Sequence, residues 1–168
     1  MELRQCRLEI DDLDAFVSDL GEIGDRHGVT IQAFDSRYVA DRRHLERAVE
    51  LADRAIDRGE NVARDRAVEI LLYAAGRRQI DRALEMGVGE GENRAVVLVD
   101  GESDGDETAA LEAVETLDAF VGQEATLETR DTETLCAFFD ITDAERGATD
   151  ASLSALVRER VALLEVEK

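Results

Sequence analysis

The chain has 168 residues, 44% apolar and 36% charged, with 40 Asp or Glu against 20 Lys or Arg and a formal net charge of −20. That length suits one well-formed core and is short for two, the apolar share excludes a disordered chain, and no run approaches the ~20 apolar residues of a membrane span. The opening Met1-Glu2-Leu3-Arg4 lacks the apolar stretch of a signal peptide, so a single cytoplasmic domain over residues 1–168 is expected.

The first segment, Glu2 to Ile10, alternates Leu3, Cys6, Leu8 and Ile10 with polar residues and reads as an edge strand. A helix follows, with Asp12 and Asp14 at its acidic start, Leu13, Phe16, Val17, Leu20 and Ile23 at helical spacing, and Gly28 as its stop. Val29 to Phe34 reads as a short strand. Asp41 is the expected N-cap of the next helix, whose core face is Leu45, Val49, Ala52 and Ile56 and which ends at Gly59. A third helix is expected from about Ala63 to Ala75 and a fourth from about Arg77 to Met86, with Gly76 allowing the turn between them. Ala95-Val96-Val97-Leu98-Val99 is short and β-branched, a central strand. Glu107 to Val121 and a shorter stretch around Leu135 to Phe139 read as core-facing helices. Leu153, Leu156 and Val157 mark a C-terminal helix, with Val161 to Val166 as a closing strand. Strands and helices mix without a regular βαβ repeat, so the expected class is α+β, a small, mostly antiparallel sheet packed with several helices.

Nineteen of the twenty bases are Arg, the one Lys is Lys168, and Pro and Trp are absent. In molar salt the screening length falls to about 3 Å and the self-repulsion of such a charge largely vanishes. Carboxylate excess with Lys depletion therefore reads as adaptation to high salt; an acidic interaction protein of an ordinary cytoplasm would usually retain Lys. From Arg37 to Arg82 there are eleven Arg and nine acids, a net of +2, so the other 122 residues carry −22. In an acidic background this segment is where an anionic partner can be tolerated.

Several motifs carry no chemistry. The glycines at 87, 89 and 91 leave a helix and enter a strand, the reverse of a phosphate-binding loop. Asp100 to Gly105 has calcium-loop composition, but the closing position holds Leu111, with Glu112 one residue late. Cys6 and Cys136 stand alone and are expected as buried free thiols. His27 and His44 lie in no recognisable nucleophile and base setting, so neither catalytic residue, metal nor cofactor is expected, and the chain does not read as an enzyme.

Three features remain. Residues Ala67 to Ala75 are apolar almost all round. Either Val68, Leu72 and Tyr73 face a partner while Ile70, Leu71 and Ala74 face the core, or the helix is enclosed within its own domain. Arg43, Arg47, Arg54 and Arg58 fall within about one sixth of a turn, flanked by Glu46, Asp53 and Asp57, which fits a salt-bridged solvent face as well as an anion site. Gly76-Arg77-Arg78-Gln79 at the opening of the fourth helix would place backbone N–H donors and guanidinium groups to suit a phosphate.

From Arg37 to Gly87 the order Arg42-Arg43-His44, Glu69-Ile70-Leu71, Gly76-Arg77-Arg78-Gln79-Ile80, Ala83-Leu84 and Gly87 resembles the Cgi family. This family is the small KEOPS subunit, homologous to the kinase-binding protein of animal cells. The similarity extends more weakly to Ala95 to Val99 and to Ala162-Leu163-Leu164-Glu165, and the stretch Glu69 to Ile80 is its most specific part. The resemblance implies a mixed α/β fold without an active site, docked on the Bud-type atypical kinase, which is itself bound to the threonylcarbamoyl transferase. It also implies recruitment of tRNA by its single-stranded acceptor end. The kinase contact is then expected at Leu72, Tyr73, Leu84, Met86 and Val88, and the tRNA contact at Gly76 to Gln79 with Arg43, His44 and Arg47. The alternative is a pure protein-interaction module, RNA contact belonging to other subunits. The acidity outside the central stretch departs from the basic contacts expected elsewhere in such a chain.

Overall fold

The computed structural model describes residues 1–128 and 131–167. In chain order the elements are β1 (Glu2–Ile10), α1 (Leu13–His27), β2 (Thr30–Asp35), α2 (Arg42–Asp57), α3 (Arg66–Ala75), α4 (Ile80–Ala83), β3 (Gly91–Asp100), α5 (Asp104–Glu115), β4 (Phe120–Gln123), α6 (Thr132–Phe138), α7 (Asp143–Gly147) and α8 (Leu153–Glu167), with 3-10 turns at Ser36–Tyr38 and Leu84–Met86. The class is α+β, as expected. The chain resolves into two compact units, one of residues 1–36 and 87–129, the other of residues 37–86 and 130–168.

The first unit holds the sheet, which is antiparallel throughout in the order β2-β3-β1-β4. Alternation along β1 sends Cys6, Leu8 and Ile10 into a core shared with Phe16 and Leu20 of α1 and Leu111 of α5. Burial there pushes the Cys6 thiol up to about 12. Helix α1 starts where the Asp12 carboxylate accepts the Ala15 N–H and stops at Gly28, whose φ of 67° suits a residue without a β-carbon. The run Ala95 to Val99 of β3 is fully buried.

Two expectations for this unit are corrected. Strand β1 is interior, because its nine residues pair along their whole length with β3 and, around Cys6 to Leu8, with β4. The helix expected to run to Val121 ends at Glu115, and Phe120–Gln123 joins the sheet as β4. Glu9 N–H donates to the Ala119 carbonyl at 2.8 Å, so the end of β1 takes these residues into a ladder.

The second unit is helical, with α2 packed on α3 and α8, and α3 also on α4. The Asp41 carboxylate caps α2 by accepting the His44 N–H at 3.0 Å, and its other oxygen accepts the Ser154 hydroxyl of α8 at 2.5 Å. Burial works against this charge, but the bonds from Ser154 and His44 outweigh it and hold the carboxyl below its ordinary range. Helix α3 begins at Arg66 rather than near Ala63 because Asp65 caps it, its carboxylate accepting the Ala67 N–H at 2.7 Å. The preceding loop is held by the buried Glu69 carboxylate, which accepts the N–H groups of Val62 and Ala63. The expected closing strand at Val161 to Val166 is instead part of α8: Leu153, Val157, Val161 and Leu164 recur at helical spacing and are all buried. Ile56, expected in the core face of α2, is 36% exposed.

Candidate functional site

The arginine-rich segment lies entirely in the helical unit, and its side chains differ in burial and in the partners they meet. At the end of α3, Gly76 takes a φ of 63° and its α-carbon faces the Arg160 carbonyl, where an added β-carbon would sit at 3.3 Å. That turn delivers Arg77 to α6. Its guanidinium donates to the Phe138 carbonyl, lies 5.1 Å from the centre of the Phe138 ring and stands 3.8 Å from the Asp140 carboxylate. Arg77 is thus engaged within its own unit. Arg78 and Gln79 are exposed.

The helix expected to open at Gly76 to Gln79 is corrected: α4 spans only Ile80–Ala83 and continues as a 3-10 turn. A single turn sums few peptide dipoles, so the expected phosphate cradle at a helix start is not built here.

His44 is corrected as well. It is fully buried, its Nδ1 accepting the Ala40 N–H at 3.1 Å while Nε2 stands 2.7 Å from the Ala74 carbonyl. An Nδ1 that accepts leaves the proton on Nε2, which donates to Ala74. Burial drives its pKa down from 6.5 to about 4, so the ring is neutral and ties the start of α2 to the end of α3. No unpaired base can stack on it in this state.

Along α2 the stripe is mostly ion-paired: Arg42 with Glu46, Arg47 with Glu50 at 2.8 Å, Arg54 with Glu50 and Glu165, and Arg58 with Glu165. Arg43 is exposed and has no such partner among the described residues.

The five apolar positions expected to meet a kinase separate by burial. Leu72, Tyr73 and Met86 are fully buried, so the expectation that they lie on open faces is corrected; α3 is apolar all round because it is enclosed. Val88 is half-buried against the core of the sheet unit. Leu84 is 56% exposed, and Ile80, one turn before it, is 43% exposed. Ile80 is not among the expected kinase contacts, although its spacing of four from Leu84 puts the two on one side of a helical turn.

A second feature missed in the sequence is an aromatic ladder. Tyr38 and Phe138 stand 5.0 Å apart, Phe138 and Phe139 5.0 Å apart nearly edge to face, and Phe139 meets His44 edge-on at 5.5 Å. Arg37 sits 5.4 Å over the Tyr38 ring. With five Phe, two Tyr and no Trp in the whole chain, three of seven rings collect here. The signal available was the Arg37-Tyr38 pair opening the basic segment and Phe138-Phe139 far along the chain, with nothing in their spacing to join them.

Among the described residues no group of three or more His, Cys, Asp and Glu is placed to hold a metal ion, and no helix is long and apolar enough to cross a membrane. The family model described as kinase binding protein CGI-121 matches residues 17–165. The chain belongs to this family. The match spans both units, from α1 in the sheet unit to α8 in the helical unit, and covers the arginine-rich segment whole. Kinase binding is what the family's description names, which fits a regulatory role for a CGI-121 chain. No curated protein sequence matches the chain.

Proposed function

We propose that this chain is the small, non-catalytic KEOPS subunit of an extreme halophile, docking on a Bud-type kinase and recruiting tRNA by its single-stranded acceptor end for threonylcarbamoyl-adenosine formation. The observation that carries the kinase part is the CGI-121 match over residues 17–165. The docking surface proposed is the exposed pair Ile80 and Leu84 of the helical unit, two apolar side chains one turn apart whose exposure a partner would relieve. The tRNA contact proposed is Arg43, Arg78 and Gln79, exposed in the segment 37–82, whose balance is +2 in a chain of −20, with Arg47 able to exchange Glu50 for a phosphate.

Salt sharpens the RNA part. Each phosphate contact on a single strand lowers log affinity by about 0.7 per tenfold rise in salt, so diffuse attraction is largely lost in a molar cytoplasm and short-range contacts must carry binding. One observation favours the second reading, a protein-interaction module without RNA contact: most arginines of α2 are neutralised by Glu46, Glu50 and Glu165. Titration of the purified chain with intact tRNA and with tRNA lacking its terminal single strand, in molar KCl, separates the two. Preference for intact tRNA supports recruitment; no binding of either leaves the interaction module. Co-elution of a Leu84→Glu variant with the kinase tests the docking surface, and unchanged binding by a folded variant refutes it.

A further inference from the structure

Within the helical unit a continuous ladder of rings leads from the interior to the surface. The buried end is His44, fixed by its bonds to Ala40 and Ala74; Phe139, 2% exposed, and Phe138, 7% exposed, form the middle. The open end is Tyr38, half-buried, with the exposed Arg37 guanidinium 5.4 Å over its ring. Both Phe residues are held from outside the ladder: Arg77 covers the Phe138 ring and bonds its carbonyl, and Arg160 donates to the Phe139 carbonyl at 3.1 Å.

We propose that Arg37 and Tyr38 form a stacking seat for one unpaired nucleobase, the nearest base of the acceptor end; this rests on the RNA reading above. Two properties of the seat point to a base rather than to phosphate. Its recognition surface is a π face with a guanidinium, the pair on which unpaired bases stack. A cation over an aromatic face attracts at short range and keeps its strength where salt screens longer fields. The seat also opens the basic segment of residues 37–82. Any ring-bearing ligand could use such a face, and an aromatic side chain of the kinase is the competing occupant.

The test is a set of binding curves in molar KCl for the parent chain, Tyr38→Ala, Tyr38→Phe and Arg37→Ala, each against intact tRNA and tRNA lacking its terminal single strand, with thermal melts to check folding. The expectation is a loss of about tenfold or more for Tyr38→Ala with intact tRNA, near-parent binding for Tyr38→Phe, and no effect of either on trimmed tRNA. Arg37→Ala, at an exposed position, should weaken intact tRNA in the same direction and keeps the test valid if Tyr38→Ala fails to fold. Parent-like binding by folded Tyr38→Ala and Arg37→Ala variants overturns the seat while leaving tRNA recruitment standing. Equal losses for intact and trimmed tRNA overturn it too, and a loss of kinase co-elution with tRNA binding intact assigns the face to the protein partner. Failure of the parent chain to bind intact tRNA overturns both the seat and the recruitment reading.

Discussion

Replacing His44 by Gln separates a structural imidazole from an RNA-stacking one. In the fold the ring is neutral, with Nδ1 bonded to Ala40 N–H and Nε2–H to the Ala74 carbonyl. The pKa lies at about 4 instead of 6.5 because charging a fully buried ring is opposed by desolvation. A lowered folded value makes the contribution complete above pH 6.5, where both folded and unfolded rings are neutral. As pH falls from 6.5 towards about 4 the unfolded chain takes up a proton that the fold refuses, and stability is lost; below about 4 both forms are protonated and the loss levels off. At about 1.4 kcal/mol per pH unit the full effect is on the order of 3 kcal/mol. In His44→Gln the amide can still donate to Ala74, while Ala40 N–H loses its acceptor, at a cost of about 1–3 kcal/mol. Urea unfolding in molar KCl, followed from pH 7 to 4, should show a lower stability for the variant at pH 7 and a shallower fall on acidification. The difference between the two proteins isolates the imidazole from the many carboxylates they share. Parallel pH curves refute the buried neutral ring, and a variant of parental stability that loses tRNA binding would restore the stacking role expected from the sequence.

Three further outcomes are expected. The fold should be cooperative in molar KCl and loosen in dilute buffer, where a charge of −20 is unscreened; circular dichroism against salt checks this, and full structure at low ionic strength contradicts the halophilic reading. Asp140→Gly should stabilise by about 0.5–1 kcal/mol, because Asp140 holds a φ of 55° just past α6, a conformation that costs any residue with a β-carbon; an unchanged or lower urea midpoint contradicts it. Glu69→Ala leaves the Val62 and Ala63 N–H groups without their buried acceptor and should cost about 2 kcal/mol or more, with faster amide exchange at those two positions, whereas parental exchange would show that the loop holds without the carboxylate.

How much of this was legible in the sequence follows the range of each interaction. Asp12 and Gly28 bound α1, and Asp41 with Gly59 bound α2, because caps act over three or four residues and their signals sit beside the elements they end. The burial of β3 was legible from a β-branched run. What the sequence left undecided was settled by distant partners. The end of β1 recruits Phe120–Gln123 into the sheet, the packing of α2 and α8 around α3 closes faces that composition alone left open to a kinase, and α8 carries Val161 and Leu164 along a buried helical face.

The candidate site divides in the same way. Composition and order along the chain determined that the cationic balance lies in residues 37–82, and no folding step can move that charge elsewhere in the sequence. Which of those residues stay exposed was a tertiary outcome. Arg77 is drawn to a carbonyl and a ring some sixty residues later, Arg54 and Arg58 to Glu165, and His44 into a bond with Ala74, while Arg43 and Arg78 stay exposed and Arg37 comes to rest over Tyr38. A guanidinium or imidazole has the same local signature whether it binds a partner or its own chain. Only the approach of a carboxylate, carbonyl or ring from a remote segment decides between them, because the energy of such a contact depends on distance in space and not on separation along the chain.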